Sequence, residues 1–125
     1  MDNRETPGVR TPTFEGSVES RTSLSIVHAA GEVDIASAPA LTSLIHEAMD
    51  SGPTQLVIDM SLVTMLDSSG LGVLISTLKL LEGDGNTTQL HLIVTEPQVM
   101  KVFAVTGLDG VFSFLDSASA LPGWE

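Results

Sequence analysis

Cysteine is missing from this 125-residue chain, and basic side chains are scarce, five against sixteen acidic ones. The first absence excludes disulfides, thiolate catalysis, thiolate zinc sites and thiol redox sensing. The second leaves a formal net charge of -11. Such a field repels nucleic-acid phosphates and anionic membrane surfaces, so neither is expected as a direct partner. The same acidity serves solubility or partner steering, and composition does not choose between them. No apolar run approaches the roughly 20 residues of a membrane span. The N-terminal stretch MDNRETPGVRTP is polar, without the apolar segment of a secretory signal. A cytoplasmic protein is the expectation. Internal repeats and low-complexity segments are also absent. The length suits one domain, large enough to bury about two-thirds of its unfolded surface.

What is present alternates between two periodicities. Residues 1–11 hold Pro7 and Gly8 among polar residues and read as a loose tail. TFEGSVESRTSLSIVHAAGEV gives two alternating runs broken at ESRTS, a hairpin with strands near 12–19 and 23–31. A helix follows from about residue 37, with Ser37 as cap, Pro39 in the first turn and Gly52 beyond the end. Leu41, Leu44, Ile45 and Ala48 form its buried stripe. TQLVIDMS predicts a strand over 54–60, buried on both faces. Residues 68–82 predict a second helix with the stripe Leu71, Leu74, Ile75 and Leu78, ending at Gly83 or Gly85. A strand near 88–94, a helix opening at Pro97 and stopping before Gly107, and a last short strand in VFSFLD complete the domain. SASALPGWE allows only a short terminal helix before Pro122.

The fold class is therefore α/β: an N-terminal β-hairpin leading into a mostly parallel sheet with right-handed crossovers. With short loops each strand lies beside its predecessor. The helices then pack mainly on one face, and the other face is only partly covered. The domain is expected over 12–121, with tails at 1–11 and 122–125.

The informative stretch is VTMLDSSGLGVLISTLKLLEGDG, residues 63–85, where a helix opens with a carboxylate and two hydroxyls. Neither Ser68 nor Ser69 has the flanking glycines of a nucleophile elbow. His28 and His91 lie inside strands and His46 in mid-helix, so no triad forms and all three read as ordinary satisfied or surface residues. No catalytic residue is expected. No histidine pair has ligand spacing, so no metal site is expected. GLG and GDG complete neither a P-loop nor a dinucleotide fingerprint, and no cofactor is expected. A helix cap accounts for one of Asp67, Ser68 and Ser69. It does not account for Gly70 and Gly72, each costing a helix interior up to ~1 kcal/mol relative to alanine. Glycines leave the helix start bare, which points to a hydroxyl presented to a kinase. Val73, Thr77 and Leu80 lie opposite the core stripe, as scattered surface or as part of a docking patch. MSLVTML, residues 60–66, leads into the site as a second candidate contact.

These residues resemble a family. VTMLDSSGLGVLISTLKL, GEVDIASAPAL, LVIDMS and VFAVTGLDGVFSFLDSASAL together are similar to the STAS-domain anti-sigma factor antagonists of bacteria, over about residues 13–121. The resemblance implies the STAS fold and a partner switch. In that family the unphosphorylated protein binds an anti-sigma factor, itself a serine kinase of the histidine-kinase-like ATPase class, and the sigma factor is released. The same kinase phosphorylates the serine that maps onto Ser68, and a serine phosphatase reverses it. Asp67 and Asp34 map onto the family's aspartates, and Ser69, Gly70, Leu71 and Gly72 complete the phosphosite environment. The phosphate is expected to be held by the amides and dipole of the helix start, so that the fold survives. The other implied role is a STAS subunit of a transport or stress-signalling assembly, with Ser68 a contact or a cap.

Overall fold

The computed structural model describes residues 13–83 and 85–124, and the backbone of Arg4–Glu5 and Val9–Arg10. The strands are β1 (Arg4–Glu5), β2 (Val9–Arg10), β3 (Phe14–Arg21), β4 (Leu24–Val33), β5 (Gln55–Leu66), β6 (Gln89–Ile93) and β7 (Ser113–Phe114). The helices are α1 (Ala38–Met49), α2 (Ser68–Leu81) and α3 (Pro97–Val105), with 3₁₀ turns at Leu108–Gly110 and Ala118–Ala120. The seven strands form one sheet in the order β1-β3-β4-β5-β6-β7, with β2 also on β3. β3 and β4 are antiparallel; the β4–β5, β5–β6 and β6–β7 pairs are parallel. The expected α/β topology, each strand beside its predecessor, is what forms.

Three differences from the sequence expectation have a physical reason. β3 runs through Glu19, Ser20 and Arg21 before a tight turn with Ser23 at φ 66°. Those charged residues are not turn residues. They alternate with buried Phe14 and Val18 and pair with one another on the opposite side of the sheet. β5 continues six residues past the expected end at 60, because its register against β4 shifts between His28 and Ala30 and again between Gly31 and Glu32. Two bulges move the buried positions from Met60 to Val63 to Leu66, and strict alternation is lost. MSLVTML is thus strand, not a connecting segment. Within the stretch read as a loose tail, Arg4–Glu5 and Val9–Arg10 pair antiparallel with β3. The rest of residues 1–12 lies outside the described residues.

The main core lies between the sheet and α1, α2 and α3. Phe14, Val27, Leu56, Ile58 and Met60 meet Leu41, Leu44, Leu74 and Phe103 there. Phe103 makes edge-to-face contacts with Phe112 and Phe114. The opposite face carries a second apolar cluster of Leu24, Ile26, Val57, Ile93 and Ala118, covered by Leu115, Leu121 and Trp124. The C-terminal segment therefore covers apolar surface that the sequence left partly open. It is fastened by Arg21, whose guanidinium lies 3.7 Å above the Trp124 ring and donates to the Trp124 carbonyl.

Beside that cover, His28 sits between two carboxylates, Glu19 at 2.9 Å and Asp59 at 3.4 Å. The bond to Asp59, helped by Glu19 and opposed by burial, lifts the His28 pKa from 6.5 to about 9. The bond from His28 lowers Asp59 against the effect of burial. Burial pushes Glu19 up, but His28 and Arg21 together bring it below its ordinary value. His91 is held by Ser113 and Gln55 at 2.8 and 2.7 Å, and burial lowers its pKa. Both strand histidines are satisfied residues, as expected.

Two glycines of α2 play opposite parts. A Cβ on Gly70 would lie 2.5 Å from Val33 Cγ1, 2.7 Å from Leu66 Cδ1 and 2.9 Å from the Val33 carbonyl oxygen. Gly70 thus lets α2 start flush against the end of β4. A Cβ on Gly72 meets nothing within 4 Å. Gly70→Ala should cost ~1–3 kcal/mol through overpacking, whereas Gly72→Ala should gain up to ~1 kcal/mol from helix propensity, both read by urea unfolding. For His28, a pKa raised on folding means stabilisation fully present below 6.5 and lost as pH rises through about 9. The urea midpoint of the parent should fall over that interval, and His28→Gln should remove that part of the fall.

Candidate functional site

The carboxyl ends of the parallel strands β4 and β5 lie side by side, Val33 opposite Leu66. The chain leaves β4 into the Asp34–Ser37 loop and leaves β5 directly into α2. One backbone bond ties the two exits together: the Asp67 amide donates to the Val33 carbonyl at 3.1 Å. Asp67 is also the N-cap of α2, with extended backbone. Its Oδ1 accepts from the amides of Ser69 at 2.9 Å and Gly70 at 3.1 Å. Its carbonyl accepts from the Leu71 amide at 2.9 Å. The cap is the carboxylate, so neither serine is needed for that task.

Ser68 is exposed, and its hydroxyl has no hydrogen-bond partner among the described residues. Ser69 is half-buried and faces a groove of about 430 Å³ between α1 and α2, shared with Ile45, His46, Gly72 and Val73. Gly70 is buried against Val33, so its bareness serves packing inward rather than access from outside. Gly72 faces open space and leaves the helix start bare there, as the sequence suggested for both. Leu71 is turned into the core and supports the site from below.

Asp34 lies in the neighbouring loop, but its carboxylate is engaged there. Oδ1 accepts from the amides of Ala36 at 3.0 Å and Ser37 at 3.1 Å. Ser37, expected to cap α1 with its side chain, instead donates its hydroxyl back to the Glu32 carbonyl at 2.8 Å. Asp34 closes that helix start. The structure thus brings Asp67, Ser68, Ser69, Gly70, Leu71 and Gly72 together at one turn. Asp34 stands one loop away as a second carboxylate.

The suggested patch of Val73, Thr77 and Leu80 forms as one wall of the groove beside Ser69 rather than as an open face. α1 packs beside α2 and covers a second stripe. Thr77 is buried, its hydroxyl bonded to the Val73 carbonyl at 2.8 Å, and Val73 packs against the core. Ile75 and Leu78 are only partly buried, so the packed stripe is rotated from the one predicted. Leu80 alone of the three is open. The exposed apolar residues at the site end are instead Ile35, 77% exposed, and Met65, with Leu62 further back on β5. Ile35 follows Asp34 directly, and an apolar residue in a polar loop was the available signal. Among the described residues no cluster of His, Asp and Glu has the geometry of a metal site, and no helix is long and apolar enough to cross a membrane.

Known proteins are similar to this chain in sequence and fold. The STAS domain family matches residues 16–120. The anti-sigma-B factor antagonist of Bacillus subtilis is 32% identical over 85 residues, covering 68% of this chain and 75% of that one. The crystal structure of an anti-sigma factor antagonist from Mycobacterium paratuberculosis superposes with a TM-score of 0.76 at 31% identity, covering 90% of this chain and 94% of the other. The phosphorylated form of the Bacillus cell fate determinant SpoIIAA has the same fold, with a TM-score of 0.62 at 22% identity over 84% of this chain and 95% of that one. The chain belongs to the STAS domain family and, within it, to the anti-sigma factor antagonists.

Proposed function

We propose that this protein works as a phosphorylation-controlled partner switch. In its unmodified form it binds an anti-sigma factor and thereby frees a sigma factor; a phosphate on Ser68 ends that binding. The partner is a serine kinase of the histidine-kinase-like ATPase class, a serine phosphatase resets the switch, and the exchange takes place in the cytoplasm. The protein itself is a regulator, not an enzyme. The observation that carries this reading is the exposed Ser68 hydroxyl, without a protein partner among the described residues and beside a carboxylate that already caps the helix. A serine retained for capping would be bonded to the first-turn amides. This one is left over.

The mechanism needs no refolding. Phosphorylation adds about -1.5 to -2 charges and three acceptor oxygens. Asp67 stands one residue away and Asp34 one loop away, so the new anion joins two carboxylates in the surface that the partner must desolvate. Exposed Ile35 and Met65 give that surface its apolar part. A penalty of ~3 kcal/mol weakens a complex more than a hundredfold.

Incubation with the cognate anti-sigma kinase and ATP should label Ser68 alone, as mapped by mass spectrometry, and Ser68→Ala should take up no label. Persistent labelling of that variant removes the assignment. Ser68→Asp should bind the anti-sigma factor at least about a hundredfold more weakly while keeping the parent's urea midpoint, measured by calorimetry and circular dichroism. Unchanged affinity would defeat the charge mechanism. Co-purification with a transport ATPase in place of an anti-sigma factor would assign the chain to the assembly role.

A further inference from the structure

We propose that Asp67 is the positioning residue that keeps a phosphate on Ser68 outside the first turn of α2 and turned toward the partner. This inference takes Ser68 as the acceptor, as argued above. An uncapped helix start offers its first amides and the positive end of its dipole to a nearby anion. A phosphate ester on the first helical residue would then fold back onto the amides of the next two residues.

Here those two amides, of Ser69 and Gly70, are both bonded to Asp67 Oδ1. The next, of Leu71, is bonded to the Asp67 carbonyl. Asp67 is itself held by its amide on the Val33 carbonyl, and Gly70 has no room to shift toward Val33 and Leu66. To enter the turn, the phosphate must expel a carboxylate built into the junction of two strands and a helix. No cation on α2 stands ready to hold it elsewhere. Lys79, the first basic residue of that helix, follows Ser68 by eleven residues, roughly 16 Å along the axis. The neighbouring strand end contributes Glu32 and Asp34, both acidic, and His46 of α1 lines the groove beside Ser69. The phosphate stays in solvent with the Asp67 charge behind it. The expected cradle at the helix start is occupied, and the fold survives phosphorylation because the new group never enters it. Asp67 thus converts a helix start, ordinarily a site that neutralises phosphate, into one that displays it.

The test installs phosphoserine at position 68 by genetic-code expansion in three full-length proteins: the parent, Asp67→Asn and Asp67→Gly. Asparagine keeps an oxygen for both amides and removes the charge. Glycine frees the amides and remains an acceptable cap, so the fold is preserved. Phosphorus NMR titration reads the second phosphate pKa, and each protein's melting temperature is compared with that of its unmodified form. The parent phosphate should titrate at or above about 6. The Asn protein should lie a few tenths lower, and the Gly protein at least about half a unit below Asn, as amide bonds to the dianion form. Phosphorylation should raise the melting temperature in the Gly protein alone. Equal values for Asn and Gly, or a parent phosphate titrating well below about 6 with a raised melting temperature, overturn the proposal. The Asn and Gly contrast is not one that a purely structural cap would produce. Because the modified residue is built in during synthesis, this result is read whether or not a kinase labels Ser68, and the two claims fail separately.

Discussion

Asp67 is bonded through all three of its polar groups, and the site depends on that. Its amide fastens the end of β5 to the Val33 carbonyl of β4, its carboxylate caps α2, and its carbonyl begins the helical ladder at Leu71. A residue so engaged fixes the direction in which α2 leaves the sheet. Ser68, the next residue, is then pointed by its neighbour rather than by any contact of its own. Gly70 supplies the complementary constraint, because only a bare Cα lets the helix start lie against Val33 and Leu66. Together they give an exposed side chain on a fixed backbone, the arrangement in which modifying one hydroxyl changes a surface without disturbing what lies beneath.

Rigidity under the site comes from both faces of the sheet. The helix side holds the larger core, and the opposite side holds Leu24, Ile26, Val57 and Ile93 under the C-terminal segment. Charge is arranged on that second side as a chain of contacts, Asp59 to His28 to Glu19 to Arg21 to Trp124. It links the middle of β5 to the last residues described. β5 is therefore held from this side at Asp59.

Much of this was legible in the sequence where one physical signal dominated. The stripe of Leu41, Leu44, Ile45 and Ala48 is the buried face of α1, because a helix packed on one side shows one period. The DSSG segment likewise lay at a strand-to-helix junction, as its residue types required. Legibility failed where two demands overlapped. α2 packs against both the sheet and α1, so its burial includes Thr77, a polar residue that no apolar count would select. The end of β5 carries two bulges, which erase the alternation that marks a strand. Glu19 and Arg21 read as turn residues because their distant partners, His28 for Glu19 and Trp124 for Arg21, are close only in space. The role of Gly70 was legible as an anomaly in a helix, but its direction was not. Whether a missing side chain makes room inside or outside depends on Val33, thirty-seven residues earlier.

The proposed switch is then a matter of local rather than total charge. Adding two negative charges to a protein that already carries -11 changes its long-range field by a modest fraction. Exposed charges more than ~8 Å away are largely screened at physiological ionic strength. Acidic residues beyond that range therefore have little say in what a phosphate on Ser68 does to a partner. Asp67 does have a say, being adjacent, and it acts twice. Its charge adds to the cost of covering the phosphate. Its oxygen, by filling the amides of Ser69 and Gly70, withholds the donors that would otherwise offset that cost. On the proposed mechanism, a complex over this surface must bury the dianion without those two amides or come apart, since burying an unpaired charge is among the largest penalties available to a protein interface. In the proposed switch, the capping bond that looks like routine helix stability is thus what makes one phosphate decisive.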